Sequence, residues 1–210
     1  MITTVLSDLG NVAILFDNAR TSRELSRLTG VPERDITDVM FRKGSALFRR
    51  YERGTIDSST FQRTICARLN LSKREMPDDA AFYAAYADVF ARNEPVLERW
   101  RLLRKASLTI TAVSNIDEMR NRKLEELGWL SGFDHLVMSW LEGMRKPSEE
   151  LMVRALDRSG CAAEEALFID DLAENLAPAV RVGINVHHFT SVEALDTCLA
   201  SHGLLARIPS

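Results

Sequence analysis

The sequence predicts an α/β fold in which a Rossmann-like parallel sheet carries an inserted helical subdomain. After Glu94, short apolar runs alternate with amphipathic helical patterns at the spacing of βαβ units, which is typical of a parallel sheet covered by helices. Between Asp17 and Arg92 the pattern is helical, with no convincing strand. The first apolar run, residues 3–7, therefore belongs to the same sheet as the later runs.

The chain divides on this basis into a core of residues 1–16 and 93–210 and a helical cap of residues 17–92. Glycine and proline turn signals separate the cap helices, which are predicted near 19–29, 33–42, 45–53, 58–69 and 78–91. In the core, helices are predicted near 95–105, 117–127, 148–158, 173–181 and 191–200.

Asp8 stands at the carboxyl end of the first apolar run, two residues before Gly10. Ligands of parallel sheets bind where the strands end, so a carboxylate at this point projects into the binding crevice. The alternative is that Asp8 caps a following helix. Taken alone, these residues favour neither interpretation.

Later segments place further polar groups at comparable points. Residues 108–113 are apolar and lead into Ser114-Asn115, and residues 166–169 lead into Asp170-Asp171. Lys146 comes just ahead of another helical pattern.

Together these groups fit phosphoryl transfer. A carboxylate nucleophile needs a cation beside it to approach an anionic phosphate, and the oxygens of Asp8 and Asp170-Asp171 are hard ligands that suit Mg²⁺. The Ser114 hydroxyl and nearby backbone N–H groups can bind phosphate oxygens. Lys146 can offset the negative charge of the transferring group.

Four motifs in this order resemble those of the haloacid dehalogenase-like hydrolase superfamily over nearly the whole chain. They are Asp8-Leu9-Gly10-Asn11-Val12, Ser114-Asn115, Gly143 with Lys146-Pro147, and Asp170-Asp171 with Glu174-Asn175. Each motif is weak alone, but four in register are specific. The resemblance implies a helical cap folded over the carboxyl ends of the sheet strands.

The resemblance also implies a role for each matched position. Asp8 is the nucleophile and Lys146 is an electrostatic clamp. The positions that hold phosphate are Ser114, Asn115, Gly10 and Asn11.

Mg²⁺ is the cofactor that the resemblance implies. The positions that hold the ion, directly or through another group, are Asp8, Gly10, Asp170 and Asp171. Of the two adjacent acids, Asp171 is favoured as the direct ligand and Asp170 lies outside the direct ligand set.

Gly10 departs from the family pattern, because most phosphatases of the superfamily carry a second Asp there as acid and base. The motif resembles a branch near the sugar-phosphate phosphatases and the phosphatase domain of soluble epoxide hydrolases. General acid catalysis contributes roughly 10²- to 10⁴-fold, so its absence favours good leaving groups or a stand-in acid. Asp17 is a candidate stand-in, although a helix-capping role is favoured.

The cap is expected to determine substrate choice. Its densest run of charged and aromatic residues contains three candidates for contact with an anionic or polyhydroxyl substrate: Arg42, Lys43 and Arg53. For each of these residues taken singly, the favoured alternative is a position on the solvent-exposed face of an amphipathic helix.

Composition limits the other classes of function. The net charge of −3 offers no general attraction for nucleic acid or an anionic membrane, so neither is expected as a partner. The three cysteines, Cys66, Cys161 and Cys198, are widely spaced and odd in number, which argues against a disulfide framework. Met1 leads directly into the first strand and no apolar run approaches a membrane span, so a cytoplasmic location is expected.

The sequence thus predicts a Mg²⁺-dependent phosphomonoester hydrolase that acts through an aspartyl-phosphate on a small phosphorylated metabolite such as a sugar phosphate. One alternative is a metal-independent dehalogenase in which Asp8 attacks carbon. The paired acids Asp170-Asp171 argue against it, since the dehalogenases lack them. Another alternative is a catalytically weak binding or regulatory protein. The oligomeric state is left open.

Overall fold

The structure, a computed structural model, describes residues 1–42 and 45–207. Its main sheet has five parallel strands in the order β5-β4-β1-β6-β7, which confirms the predicted α/β class. These strands are β1 (Thr4–Ser7), β4 (Thr109–Ser114), β5 (His135–Met138), β6 (Ala166–Asp170) and β7 (Asn185–His188). A second, two-stranded sheet pairs β2 (Ile14–Phe16) with β3 (Phe90–Arg92).

Helices cover the sheet and fill the insertion. The inserted helices are α1 (Asn18–Thr29), α2 (Glu33–Phe41), α3 (Ala46–Glu52), α4 (Ser58–Arg68) and α5 (Asp79–Ala87). The others are α6 (Glu94–Lys105), α7 (Glu118–Glu126), α8 (Ser139–Glu142), α9 (Glu149–Ser159), α10 (Ala173–Val182) and α11 (Val192–Ser201). In the two described ranges, no helix is both long and apolar enough to cross a bilayer.

The antiparallel ribbon of β2 and β3 corrects the prediction of an all-helical segment up to Arg92. Ile14 pairs with Arg92 and Phe16 with Phe90, at the two points where the chain passes between the sheet and helices α1–α5. The predicted helix over 78–91 therefore ends at Ala87. The division of the chain after residues 16 and 92 stays a prediction, and the ribbon lies at both of these points.

The central strand β1 decides where the site lies. All four of its residues are buried, and it pairs in parallel with β4 on one side and β6 on the other. Parallel neighbours end at the same edge of a sheet. The residue after β1 and the last residues of β4 and β6 therefore lie close together.

Helix α7 of the core serves as the platform on which the inserted helices pack. Its N-cap Asp117 accepts a hydrogen bond from the Tyr86 hydroxyl at 2.7 Å, and Met119 belongs to the apolar cluster of the insertion. The Ser58 hydroxyl donates to Glu118 at 2.6 Å. These buried contacts fix the insertion against the carboxyl edge of the sheet.

Gly54 is expected to be indispensable to this contact. It has a left-handed φ of 65°, and a Cβ at this position would overlap the carbonyl oxygen of Trp140 in α8. Gly128 has a similar φ of 69°, but its Cβ would meet nothing within 4 Å. Both Gly→Ala variants carry the backbone strain, so the overlap should make Gly54→Ala about 1–3 kcal/mol less stable than Gly128→Ala. Chemical denaturation of the two variants measures this difference, and equal losses would contradict the close approach.

Candidate active site

Asp8 lies immediately after β1, at the centre of the carboxyl edge of the sheet. Its backbone N–H donates to the Ile169 carbonyl of β6 at 2.8 Å, and the residue is only 6% exposed. The helix-capping alternative for Asp8 is wrong, because the next helix is α1 and its N-cap is Asp17. The Asp8 carboxylate instead accepts from the Leu9 N–H at 2.7 Å and faces Lys146.

Lys146 bridges two carboxylates from different strands. Its Nζ lies 2.7 Å from Asp8 Oδ1 and 2.7 Å from Asp170 Oδ2, and the side chain is 1% exposed. An ammonium group held between two carboxylates at these distances is fixed in position. The structure thus brings together Asp8, Lys146 and Asp170, as the sequence predicts.

Asn115 holds the backbone of Lys146. The Lys146 N–H donates to Asn115 Oδ1 at 2.7 Å, and Asn115 Nδ2 donates to the Lys146 carbonyl at 2.9 Å. Both ends of this side-chain amide are therefore engaged in positioning the lysine. A phosphate-binding role for Asn115 stays a prediction, and it would use the backbone N–H rather than the amide.

The two adjacent acids differ in what surrounds them. Asp170 is fully buried, and its Oδ1 accepts from the Leu172 N–H at 2.9 Å and from Asn175 Nδ2 at 2.8 Å. Asp171 is partly exposed and accepts a hydrogen bond from Asn11 Nδ2 at 3.1 Å. Asp171 therefore has more freedom to contact an ion, which favours it as the direct ligand.

The three acids can hold a divalent cation. Asp8, Asp170 and Asp171 each offer a carboxylate oxygen, and these oxygens lie within 4.8 Å of one another. A set of oxygen donors alone fits Mg²⁺ rather than a softer metal. Gly10 has no side chain to contribute, so its predicted contacts with metal and phosphate rest on its backbone.

Burial sets the protonation of the central pair. It raises the pKa of Asp8 to about 7, an increase that the Lys146 ammonium opposes and the Asp170 carboxylate reinforces. Burial lowers the pKa of Lys146, but the two carboxylates outweigh this effect and raise it above its usual value. Lys146 therefore stays charged, while Asp8 without a bound cation gains a proton easily.

Mg²⁺ should consequently bind more tightly as the pH rises. Because a proton on Asp8 competes with the cation, the apparent affinity should increase by up to about tenfold per pH unit below pH 7 and level off above it. Calorimetry in buffers of different ionisation enthalpy measures both the affinity and the proton release. Asp17→Asn is the control, since the pKa of this exposed acid is lowered by its hydrogen bond with Arg23. An affinity that stays constant from about pH 5 to 8 would contradict the assignment.

A cavity of about 170 Å³ opens beside the positions expected to hold phosphate. Its lining includes Gly10, Asn115 and the buried Ser114, together with residues of the ribbon, of α3 and of α7. It shares three lining residues with a larger neighbouring cavity of about 460 Å³: Asn18, Phe48 and Glu52. The two spaces form the cleft between the sheet edge and the inserted helices.

The three cap candidates lie in different places. Arg42 lines the larger cavity. Arg53 is exposed at the end of α3, outside the linings of both cavities. Lys43 lies outside the described residues.

Three charged residues of the cleft were not predicted as contributors. Arg145 Nε donates to Glu52 at 3.0 Å, and this pair joins the core to the cap beside the larger cavity. The buried Arg120 of α7 lines the smaller cavity. The position of Arg145 directly before Lys146 could have indicated that it lies near the site. Its partner Glu52 is 93 residues away and could not be found from sequence spacing.

Gly10 has no carboxylate, and Phe16 lies against it. A Cβ at Gly10 would lie 3.0 Å from Cε1 of the Phe16 ring, so a side chain there must displace the ring. Asp17, the candidate stand-in acid, instead caps α1 by accepting from the Ala19 N–H at 2.9 Å, as the favoured alternative predicts. Its hydrogen bond with Arg23 lowers its pKa, which keeps it ionised and unsuited to donate a proton.

Comparison with known proteins places this site in context. Residues 11–183 match the haloacid dehalogenase-like hydrolase family. A sesquiterpene phosphatase of Aspergillus oryzae is 27% identical over 156 residues, which are 74% of this chain and 77% of that protein.

Solved structures of other proteins share the fold. A HAD family enzyme of Bacteroides thetaiotaomicron, in complex with magnesium and inorganic phosphate, has a TM-score of 0.77 and 21% identity over 90% of this chain and 95% of that one. An L-2-haloacid dehalogenase of Xanthobacter autotrophicus, with chloropropionic acid covalently bound, has a TM-score of 0.64. It is 20% identical over 97% of this chain and 84% of the dehalogenase. At these identities the likeness extends to the fold alone.

Proposed function

Because this chain belongs to the haloacid dehalogenase-like hydrolase family, we propose that it is a Mg²⁺-dependent phosphomonoester hydrolase that uses Asp8 as its nucleophile. The observation that carries the proposal is the placement of Lys146 between Asp8 and Asp170, with Asp171 beside them. The relative that is a sesquiterpene phosphatase and the neighbour that binds magnesium and phosphate support it.

Asp8, Asp170 and Asp171 are the residues that would hold Mg²⁺. When bound, the ion supplies positive charge that allows an anionic phosphate to approach a carboxylate and stabilises the charge of the transferring group. Asp170 itself is held by Lys146, Leu172 and Asn175, so its position is fixed before any ion binds.

The reaction follows from what each residue presents. A carboxylate oxygen of Asp8 attacks phosphorus, the bond from phosphorus to the ester oxygen breaks, and the alcohol leaves with a proton taken from water. Water then attacks the phosphorus of the aspartyl-phosphate, which releases inorganic phosphate and restores Asp8. Lys146 keeps Asp8 oriented and offsets negative charge in both steps.

The dehalogenase alternative shares the nucleophile but requires no metal. The cluster of the three acids Asp8, Asp170 and Asp171 favours the phosphatase, because a displacement at carbon needs no metal site. A binding or regulatory protein would keep the phosphate positions and turn over nothing. The phosphatase consumes a phosphate ester, the dehalogenase consumes a haloacid and the binding protein consumes neither, so one screen separates the three functions.

Two further points belong to the same proposal. Arg42, Lys43 and Arg53 remain candidates for substrate contact from the cap, and Arg42 has the strongest support because it lines the cleft. A cytoplasmic location also belongs to the proposal, on the wide spacing and odd number of Cys66, Cys161 and Cys198 in the sequence.

The test is a screen of phosphomonoesters and 2-haloacids, with Mg²⁺ and with a chelator. The proposal expects release of phosphate from at least one ester with Mg²⁺, loss of that activity with the chelator, and no release of halide. Halide release that survives the chelator would establish the dehalogenase. Phosphate binding without any turnover would establish the binding protein.

A further inference from the structure

The cavity beside the phosphate positions has mainly apolar walls. These walls are contributed by the ribbon, by α3 of the cap, by α7 and by the loop after β4. The side chains include Ile14, Phe16, Phe48, Phe90, Ile116 and Leu124. A group bound here would contact side-chain carbon on several sides.

The polar side chains at the cap side of this cavity are already paired within the protein. Asn18 Oδ1 accepts from Arg120 Nη2 at 2.8 Å, and Glu52 accepts from Arg145 at 3.0 Å. The Arg120 guanidinium also lies 4.7 Å from the ring centroid of Tyr86. Arg120 Nε is buried with no hydrogen-bond partner among the residues described, and it lies 3.9 Å from Asp117 Oδ2, so its charge is offset within the protein. A polyhydroxyl group would leave most of its hydroxyls unpaired here, which is costly away from water.

Phe16 occupies the flank of Gly10. Its ring lies where a side chain at Gly10 would enter, and the same ring lines the cavity. The departing alcohol of a phosphate bound near Ser114 and Gly10 therefore meets an aromatic ring in place of a carboxylate. Such a surface binds carbon and offers no proton.

We propose that the substrates of this protein are phosphomonoesters of small apolar alcohols, with an aromatic or branched aliphatic group held against Phe16. This inference rests on the proposed phosphatase function and specifies the chemical class of its substrate. It replaces the expectation of a sugar phosphate.

Benzyl phosphate and glycerol 1-phosphate provide the test. Their alcohols are similar in acidity, so a difference in rate reports on recognition rather than on leaving-group quality. With Mg²⁺ present, kcat/KM for benzyl phosphate should exceed that for glycerol 1-phosphate by about 10-fold or more, within the range of apolar pocket contacts. Glucose 1-phosphate should also be a poorer substrate than benzyl phosphate, although its leaving group is somewhat more acidic.

Three variants at two neighbouring positions of β2 localise the preference. Phe16→Ala should raise KM for benzyl phosphate about 10-fold and leave KM for glycerol 1-phosphate nearly unchanged. Leu15→Ala is the matched control, since Leu15 precedes Phe16 on β2, is 42% exposed and does not line the cavity. Phe16→Leu keeps an apolar side chain and should restore most of the preference, which protects the test against misfolding of Phe16→Ala.

Binding of benzylphosphonate, which cannot be hydrolysed, gives a second readout by calorimetry. It should bind more tightly than inorganic phosphate to the native protein, and this advantage should shrink in Phe16→Ala. Equal or better use of glycerol 1-phosphate or glucose 1-phosphate would overturn the inference and leave the phosphatase function standing. No hydrolysis of any phosphomonoester would overturn the proposed function and the inference with it.

Discussion

Asp8→Asn is expected to abolish hydrolysis of every phosphomonoester and to leave the fold intact. The amide has the shape of the carboxylate but lacks the charge that attacks phosphorus, so kcat should fall on the order of 10⁴-fold or more. The fold should persist because an amide oxygen can still accept from the Leu9 N–H and because Asp170 still pairs with Lys146. Steady-state kinetics and thermal unfolding of the same preparation measure both effects.

Asp17→Asn is the matched control for this experiment. Asp17 lies on the loop that follows the nucleophile, caps α1 and is exposed, and Asn caps helices about as well as Asp, so this change should cost little stability and little activity. Turnover by Asp8→Asn at a rate close to that of the native protein would refute the assignment of the nucleophile. An equal loss of activity in Asp17→Asn would show that the loop, rather than Asp8, is what matters.

Lys146→Met should have the second largest effect, and it should lower both kcat and the free energy of unfolding. Loss of a group that stabilises developing charge typically lowers kcat by about 10²- to 10³-fold. The variant also leaves two buried carboxylates, Asp8 and Asp170, facing each other without the ammonium that lies 2.7 Å from both. Breaking a buried ion pair costs about 3–5 kcal/mol, and added Mg²⁺ should recover part of this loss by supplying positive charge at the same place.

Lys123→Met provides the comparison, because Lys123 is more exposed and lies 3.6 Å from the exposed carboxylate of Asp88. It should change kcat very little, since surface ion pairs contribute little. If Lys146→Met unfolds at a lower denaturant concentration but retains the native kcat, Lys146 supports the fold and has no part in the chemistry.

The parts of the site that follow buried strands could be predicted from the sequence. Asp8, Ser114 and Asp170 each end an apolar run, and the parallel order of β1, β4 and β6 places such ends together. Hydrophobic patterning in these runs is strong because the strands are covered on both faces. The same reasoning predicted that strands of the sheet come before and after a helical insertion in the sequence.

Other features depend on contacts between distant residues that local patterns do not encode. The strands β2 and β3 have three residues each, too few for a periodic signal, and they pair across the whole insertion. The side chain of Asn115 bonds to the backbone of Lys146, 31 residues away, and no local pattern indicates this contact. The apposition of Phe16 to Gly10 likewise needs the turn between them to be known in three dimensions.

Trapping the aspartyl-phosphate on Asp8 decides whether Asp8 is the nucleophile. Since Gly10 supplies no base to activate water, hydrolysis of the intermediate should be slow and the phosphorylated enzyme should accumulate during turnover of an aryl phosphate. Acid quenching in this phase, reduction with borohydride and peptide mass spectrometry should reveal homoserine at position 8, and none in Asp8→Asn. A burst of released alcohol without modification of position 8, or with modification of another residue, would show that Asp8 is not the nucleophile.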